Sequence, residues 1–453
     1  MTDEKQPDNE ADSGISRRAF VTTTVAGAIA FDGTLSAHGA RLRTSLAHAS
    51  TDASAPAPFA LEEATIDGLQ AKMKSGAESA QSLTRQYLAR IDAIDQRGPA
   101  INAVLELNPD AMAIAAQMDT ERKAGKVRGP LHGIPVLIKD NIDTADKMHT
   151  SAGSLALANN IAARDSFVAA QLRAAGAIIL GKTNLSEWAN FRSTHSSSGW
   201  SGRGGQTRNP YALDRTPSGS SSGSGSAAAA SCCVVAVGTE TDGSVTSPSA
   251  AAGLVGIKPT LGLISRAGII PIAHSQDTAG PMARTVRDAA ILLGALTGVD
   301  PRDSATRASA GHSQTDYRAA LDKDGLRGAR LGVARKRFTG YSPETDKVFA
   351  AALDLMRQHG ATIVDPADIE TAGKTDDSEF ELLLYEFKAD LNAYLAGVEP
   401  SVGIKSLADV MAFNTKNASR ELRYFGQEIM EQADKKGPLT EKKYLADLAN
   451  NRR

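Results

Sequence analysis

The chain has 453 residues, of which 42% are hydrophobic, and a formal net charge of -2 at pH 7. This length and apolar content allow a large buried core, organised as one large α/β domain or as two. The near-neutral charge gives no electrostatic reason to expect nucleic acid or an anionic membrane as a partner.

The N-terminal residues have the pattern of an export signal. Ser-Arg-Arg at 16–18 is followed by Ala-Phe-Val and the mildly apolar TTTVAGAIA, and Ala-His-Ala at 47–49 matches the A-x-A pattern of a cleavage site. The apolar stretch is far shorter than the ~20 residues that a membrane-spanning helix needs. We predict a twin-arginine signal peptide over 1–49, export to the periplasm or the medium, and a loose linker over 50–59. The alternative is a disordered tail with a chance arginine pair.

The chain after residue 60 alternates between helical and strand patterns. Apolar residues recur at helical spacing after Ser79, a candidate N-cap, until Gly98. The further predicted elements are a helix over 165–176, a buried strand over 177–180, a strand over 330–334, a helix beginning at Ser342-Pro343 and a strand over 361–364. This alternation predicts an α/β fold with a mixed sheet covered by helices on both faces.

Lys139 directly follows the apolar run Val136-Leu137-Ile138. Burial disfavours the charged form of an amine, so a lysine in this position can lose its proton near neutral pH and serve as a base. A lysine after an apolar run is, however, more often a strand-end residue whose stem lies along apolar surface. Taken alone, the position leaves both interpretations open.

The segment 219–250 has two clusters of glycine and small hydroxyl residues on either side of a short apolar strand. Glycine-flanked serines can bring an Oγ and several backbone N–H groups against a carbonyl carbon, as acyl transfer with an oxyanion hole requires. Similar compositions are common in flexible linkers. Here the tract continues into a helix-compatible Ala run at 227–230 and a strand pattern at 234–237. We therefore place it inside a domain, and two of its serines with Lys139 form a candidate triad.

A second nucleophile is possible in the same tract. Gly219 to Gly223 reads G-x-S-x-G, the nucleophile elbow of α/β-hydrolases, which would make Ser221 the nucleophile. That motif needs a strand immediately before it, whereas the preceding TRNPYALDRTPS is a loop rich in Pro and Arg. This alternative is therefore disfavoured.

These segments together resemble the amidase signature family, from about Ala60 to the C-terminus. The lysine of the family's P…KDN segment falls on Lys139, and its cis serine, the first residue after the glycine of the Gly/Ser loop, falls on Ser220. The nucleophile of its GT(D/E)…GS segment falls on Ser244, 24 residues after Ser220, which is the family's spacing. Within the family the chain resembles the bacterial peptide amidases, with which it shares GTETDGS and SQDTAGPMARTVRDAA.

The resemblance implies a single large domain with a twisted mixed sheet, and a Ser-cisSer-Lys mechanism without a cofactor. Neutral Lys139 accepts a proton through Ser220 from Ser244, and Ser244 attacks an amide carbonyl to form an acyl-enzyme that water hydrolyses. Ser220 returns the proton to the leaving nitrogen, which must be protonated before the C–N bond breaks.

The resemblance also implies the residues around this triad. The backbone N–H groups of Thr241, Asp242, Gly243 and Ser244 would form the oxyanion hole. The hydroxyl groups of Ser221 and Ser222 would donate hydrogen bonds around the triad, or have no role. Asp242 stands where many relatives have glycine. A side chain that points away from the pocket would have no effect, and an inward one would favour neutral C-terminal amides over substrates with a nearby carboxylate.

The remaining candidate ligands do not form a metal motif. The histidines are scattered without H-E-x-x-H or Cys-pair spacing, so neither a metal site nor a cofactor is predicted. His132 and His274 lie beside motif segments and could line the pocket, but structural roles are favoured. Cys232 and Cys233 are adjacent, so we expect no disulfide and two small hydrophobic residues beside the strand.

The C-terminal third raises two further points. The segment 376–395 predicts an amphipathic helix that covers the substrate cleft in peptide amidases, or equally a packing helix with Phe380, Leu383, Leu384 and Phe387 inward. Members of the family continue beyond the equivalent of Arg453 with a DAL…PT segment that completes the sheet and one wall of the cleft. We therefore expect an amidase domain over 60–453 that lacks its C-terminal part.

The predicted function is hydrolysis of linear carboxamides, specifically peptide C-terminal amides, to acid and ammonia. The expected partner is a small amide or an amidated peptide, with no nucleic acid and no membrane, and the oligomeric state is open. The alternatives are a catalytically weak, truncated remnant and the A subunit of a tRNA-dependent amidotransferase. The export signal counts against the second alternative, which works in the cytoplasm.

Overall fold

The computed structural model describes residues 58–452. The predicted signal peptide (1–49) and all but the last two residues of the predicted linker (50–59) lie outside the described residues, so both stay predictions. Across 58–452, every helix is too short or too polar to span a bilayer.

The described chain divides into two compact units, a larger one of residues 58–322 and 384–438 and a smaller one of residues 323–383 and 439–452. The strands are β1 (Val104–Leu107), β2 (Pro135–Lys139), β3 (Ile178–Thr183), β4 (Trp200–Ser201), β5 (Gly205–Gln206), β6 (Val235–Glu240), β7 (Val255–Gly256), β8 (Thr278–Ala283), β9 (Arg330–Gly332) and β10 (Thr362–Val364). The α-helices are α1 (Ile66–Ser75), α2 (Ala80–Arg90), α3 (Ala111–Lys123), α4 (Phe167–Ala174), α5 (Ser222–Ala229), α6 (Thr246–Ala251), α7 (Val286–Leu296), α8 (Pro343–Gln358), α9 (Asp376–Ala396), α10 (Leu407–Lys416), α11 (Ala418–Glu421), α12 (Glu428–Asp434) and α13 (Lys442–Asn451). A π-helical turn (Ile91–Gln96) extends α2, and 3₁₀ turns occupy Leu155–Leu157, Glu187–Asn190, Ser304–Ser309, Tyr317–Ala320 and Pro400–Val402.

The larger unit is built on a six-stranded sheet in the order β1-β3-β2-β6-β8-β7. The central strands β3, β2 and β6 run parallel to one another, whereas β1, β8 and β7 pair antiparallel. Every residue of β2, β3, β6 and β8 is buried. Helices α2 to α5 and α7 pack against these strands, which explains their nearly continuous apolar sequences. The predicted fold class, α/β with a mixed sheet flanked by helices, is confirmed.

Local sequence signals fix the first helices. Ser79 caps α2 in a reciprocal capping box with Ser82, as its position before the apolar repeat predicted. Ser166 caps α4 through the N–H of Ala169, and Gly176 follows that helix with a φ of +77°, a conformation that favours glycine. The strand predicted over 177–180 forms and continues to Thr183.

The smaller unit contains the predicted helix and strands of the C-terminal third. Ser342 caps α8, and Pro343 is its first residue, as predicted. The strands predicted over 330–334 and 361–364 form as β9 and β10, but they pair in parallel as a separate two-stranded sheet. Both strands are largely exposed, unlike the buried strands of the six-stranded sheet.

Both cysteines of the chain lie in the core beside β6. Cys232 and Cys233 are fully buried, unpaired and part of the same apolar cluster as Val235. Burial raises the pKa of the Cys233 thiol to about 12, so it stays protonated near neutral pH. The prediction of two small hydrophobic residues without a disulfide is confirmed.

Candidate active site

Lys139 is the last residue of the central strand β2 and is fully buried. Its Nζ lies 2.8 Å from Ser220 Oγ, 2.9 Å from Thr239 Oγ1 and 3.2 Å from Thr239 O. Burial lowers the pKa of the amine to about 7, although the carboxylates of Asp277 and Glu240 oppose that shift. The amine is therefore held among oxygens at a pKa where its neutral form is well populated at neutral pH.

Ser220 lies just before α5, at the carboxyl end of the neighbouring parallel strands, and is fully buried. The peptide bond between Gly219 and Ser220 is cis. The main-chain oxygen of Ser220 accepts a hydrogen bond from the N–H of Ser186 at 3.0 Å. The structure thus brings together two of the three predicted triad residues by direct contact of their side chains.

Ser244 lies in the turn that joins β6 to α6, and 7% of it is exposed. Its main-chain oxygen accepts from the N–H of Ser221 at 3.1 Å, which joins this turn to the Gly/Ser loop that carries Ser220. The hydroxyl of Ser244 makes no hydrogen bond to any residue of the described range 58–452. The third predicted residue, Ser244, therefore lies next to the loop of Ser220, and its hydroxyl has no hydrogen-bond partner in the described chain.

The turn of Ser244 is held in shape from both sides. The Glu240 carboxylate accepts from the N–H groups of Val245 at 2.7 Å and Thr246 at 2.8 Å, which closes the chain over the turn. Gly243 has a φ of +83°, which favours glycine at this position. These contacts explain why a glycine and an acidic residue belong in the segment GTETDGS.

The predicted oxyanion-hole residues all lie in this turn. The N–H groups of Gly243 and Ser244 donate no hydrogen bond within the described part of the chain, so both are available to donate to an oxyanion. Thr241 is buried and its Oγ1 donates to Asp277 at 2.6 Å, which anchors the start of the turn. Asp242 is half-buried and does not line the neighbouring cavity.

The two other predicted serines support the loop through hydrogen bonds. Ser221 Oγ donates to Thr239 O at 3.1 Å and accepts from Thr239 N at 3.2 Å, so this hydroxyl is bound to the residue that also contacts Lys139. Ser222 Oγ donates to Ser218 O at 2.6 Å. No strand directly precedes Gly219. The nucleophile-elbow alternative thus lacks both its strand and a free hydroxyl on Ser221.

A cavity of about 420 Å³ lies beside these residues, a size typical of ligand-binding pockets. Lys139, Ser220 and Ser244 do not line it themselves, and their neighbours Thr239 and Thr241 form its wall on that side. The lining residues are Asn141, Ala189, Thr239, Glu240, Thr241, Arg266, Ala267, Ile269, Ile270, Pro271, Ile272, His274, Asp277, Thr278, Arg302, Asp303, Asp390, Ala393 and Tyr394.

The C-terminal end of α9 forms part of the cavity wall through Asp390, Ala393 and Tyr394. The predicted inward residues Phe380, Leu383, Leu384 and Phe387 are all buried. Helix α9 therefore has a packing face, as the second interpretation predicted, and lines the cavity with its last turns.

The two histidines that lie beside the motifs, His132 and His274, have different surroundings. His132 is buried, with Nε2 2.9 Å from Met118 O, which fits the predicted structural role. His274 lines the cavity instead, with Nδ1 2.8 Å from Asp390 Oδ2 and Nε2 3.4 Å from Glu386 Oε1. The Asp390 hydrogen bond raises the pKa of His274. The ligand atoms of His274, Glu386 and Asp390 lie within 4.8 Å of one another, close enough to hold a metal ion.

Three residues that support the predicted triad or its turn, directly or through a neighbour, were not predicted from the sequence. Thr239 contacts Lys139 Nζ with two oxygens, Asn141 contacts Thr239, and Asp277 anchors Thr241. Thr239 and Asn141 stand inside the quoted motifs GTETDGS and KDN. The motifs could have indicated them, but their contacts join segments about a hundred residues apart.

Comparison with known proteins identifies relatives of this arrangement. The family model for amidases matches residues 82–453. The X-ray structure of native peptide amidase from Stenotrophomonas maltophilia is 49% identical, has a TM-score of 0.83, and the match covers 87% of this chain and 80% of that one. A probable amidase of Arabidopsis thaliana is 42% identical over 396 residues, 86% of this chain and 75% of the relative. The A subunit of the glutamyl-tRNA(Gln) amidotransferase of Roseiflexus sp. is 39% identical over 304 residues, 67% of this chain and 60% of the relative.

Proposed function

Because this chain belongs to the amidase family and is an amide-hydrolysing enzyme, we propose that it hydrolyses peptide C-terminal amides to the free acid and ammonia. The observation that carries the proposal is the buried contact of 2.8 Å between Lys139 Nζ and Ser220 Oγ beside the turn of Ser244. The likeness to a peptide amidase over 87% of this chain supports the choice of substrate.

The hydrogen bonds of Lys139 suit a neutral amine. A neutral amine has two N–H groups and one lone pair. Thr239 O can only accept, and Thr239 Oγ1 takes the second N–H at 2.9 Å. The lone pair is then left for the hydroxyl hydrogen of Ser220. In this neutral form Lys139 can withdraw a proton from Ser220, and as an ammonium it can donate one back.

The proposed reaction proceeds by proton transfer along the two serines. Ser220 passes its proton to Lys139 and takes the proton of Ser244, whose oxygen attacks the amide carbon. The N–H groups of the turn 241–244 stabilise the oxyanion as the tetrahedral intermediate forms. Ser220 then protonates the leaving nitrogen, ammonia departs, and water hydrolyses the acyl-enzyme by the same route.

Replacing Ser220 with alanine is expected to lower kcat/KM for an amidated peptide by about 10²- to 10⁴-fold, because the proton route from Ser244 to Lys139 is cut. Ser222→Ala is the matched control, since its hydroxyl binds the main-chain oxygen of Ser218 and does not touch Lys139. Steady-state rates of ammonia release measure both. Equal rates for the two variants would contradict the relay.

The substrate class is tested by measuring ammonia released from three compounds: an N-acetylated peptide amide, the same peptide with a C-terminal glutamine acid, and free glutamine. We expect the peptide amide to have the highest kcat/KM, with the Ser244→Ala variant inactive on it. Release from glutamine alone would favour the glutaminase chemistry of a tRNA-dependent amidotransferase. Release from none of the three would support the weak remnant.

A further inference from the structure

Asn141 stands two residues after Lys139 and lines the cavity, although only 3% of it is exposed. Its Nδ2 donates to Thr239 Oγ1 at 3.0 Å and to Ile270 O at 3.4 Å. Its main-chain oxygen accepts from the N–H of Ile270 at 2.9 Å. The amide nitrogen is therefore held by two partners, next to the oxygen that contacts Lys139.

These contacts decide which way the side-chain amide points. A main-chain carbonyl oxygen can only accept, so the amide nitrogen and not Oδ1 must face Ile270 O. Thr239 Oγ1 also lies on the nitrogen side, where it accepts from both Asn141 and Lys139. Oδ1 consequently points away from both partners.

Oδ1 of Asn141 is buried and has no hydrogen-bond partner within the described residues. Buried acceptors are rarely left without a donor in folded proteins, and because Asn141 lines a ligand-sized cavity, a bound ligand can supply that donor. Charged groups of the cavity wall do not supply it, because Arg266 is paired with Asp303 and Arg302 with Asp300.

We propose that Asn141 Oδ1 accepts a hydrogen bond from an N–H of the bound amide substrate, and so makes the enzyme select substrates that carry this N–H. The inference rests on the proposed function, because it names a contact of that same substrate. In an amidated peptide the donor is either the scissile carboxamide or the main-chain N–H of the residue that bears it. A site built around a substrate N–H discriminates against analogues without it, since its acceptor is then left unpaired.

The test uses three substrates with one scaffold: an N-acetyl amino acid amide, its methyl ester, which lacks the carboxamide N–H, and the amide with an N-methylated main chain. We measure kcat/KM for each with the wild type, Asn141→Leu and Thr239→Val. In Asn141→Leu, the ratio of the parent amide to one of the two analogues is expected to fall by at least about tenfold. The analogue whose ratio falls identifies the N–H that Asn141 binds.

Thr239→Val is the matched control, because it removes the oxygen that Asn141 and Lys139 share but leaves the Asn141 acceptor. Thr239→Val is expected to lower kcat/KM for all three substrates and to leave the ratios between the substrates unchanged. Equal losses for all three substrates in Asn141→Leu would overturn the proposal and leave Asn141 as a residue that positions Thr239. Asn141→Ala replaces Asn141→Leu if thermal melting shows that the leucine variant does not fold.

Binding separates this proposal from the proposed function. Calorimetry of the same three compounds with Ser244→Ala gives the ratios of their Kd values without turnover. We expect the parent amide to bind with a Kd at least about tenfold lower than one of the analogues, and this preference to be lost in Asn141→Leu/Ser244→Ala. That result supports the contact even if the wild type releases no ammonia. Equal Kd values for the three compounds would overturn it.

Discussion

Replacing Ser244 with alanine is expected to lower kcat/KM for amide hydrolysis by at least about 10⁴-fold, because no acyl-enzyme can form without its oxygen. The change removes one hydroxyl that makes no hydrogen bond in the described chain, so the fold should be unaffected. Ammonia release by the purified variant measures the loss, and thermal melting checks that the protein is folded.

Ser247→Ala is the matched control for this prediction. Ser247 lies three residues further on, in α6, is exposed, and its Oγ lies 2.7 Å from Ser218 Oγ. Its loss is expected to leave kcat/KM within about twofold of the wild type. If Ser244→Ala kept its activity while Ser221→Ala lost it, the nucleophile-elbow alternative with Ser221 would replace the proposal that Ser244 is the nucleophile.

Replacing Lys139 with methionine is expected to lower kcat/KM by about 10²- to 10⁴-fold, the usual contribution of a positioned base. Methionine has a similar length and no charge, so it fits a fully buried site. The hydroxyl of Ser220 would then have no base to take its proton. Rates and melting temperatures of the variant separate the loss of the base from a loss of fold.

The chain offers a close control for Lys139. Lys182 on the adjacent strand β3 is also fully buried, and burial likewise lowers its pKa. Its Nζ donates to Ile142 O at 2.7 Å and Thr150 Oγ1 at 2.8 Å and contacts no serine within residues 58–452. Lys182→Met is expected to reduce stability but to keep kcat/KM within about tenfold of the wild type. Equal losses in both lysine variants would mean that Lys139, too, acts only through the fold.

The sequence predicted those features that depend on short segments. Ser79 and Ser342 cap their helices because a cap needs only the next few residues. The apolar run before Lys139 left a buried amine and a strand-end lysine both open, and the structure shows the buried amine. The pairing of Lys139 with Ser220 came from a family motif, since nothing in the spacing alone requires residues 81 positions apart to meet.

Features that depend on distant segments could not be predicted. Strand β8 contains Gly280-Pro281, which gives no strand pattern, yet it pairs along its length with β6. The pairing of β9 with β10 in a sheet of their own depends on which strands the fold places side by side, and the local sequence does not contain this information. Oδ1 of Asn141 is left without a partner because the amide nitrogen faces the main-chain oxygen of Ile270, which lies 129 positions away in the sequence.

The pH dependence of kcat/KM tests most directly whether neutral Lys139 is the base. The pKa of Lys139 is lowered to about 7, and only the neutral amine can accept a proton, so activity should fall as the pH drops through about 7. This acid limb should be present in Lys182→Met and absent from the residual activity of Lys139→Met. A limb near pH 7 that persists in Lys139→Met, or a wild-type profile that is flat down to about pH 5, would contradict the account.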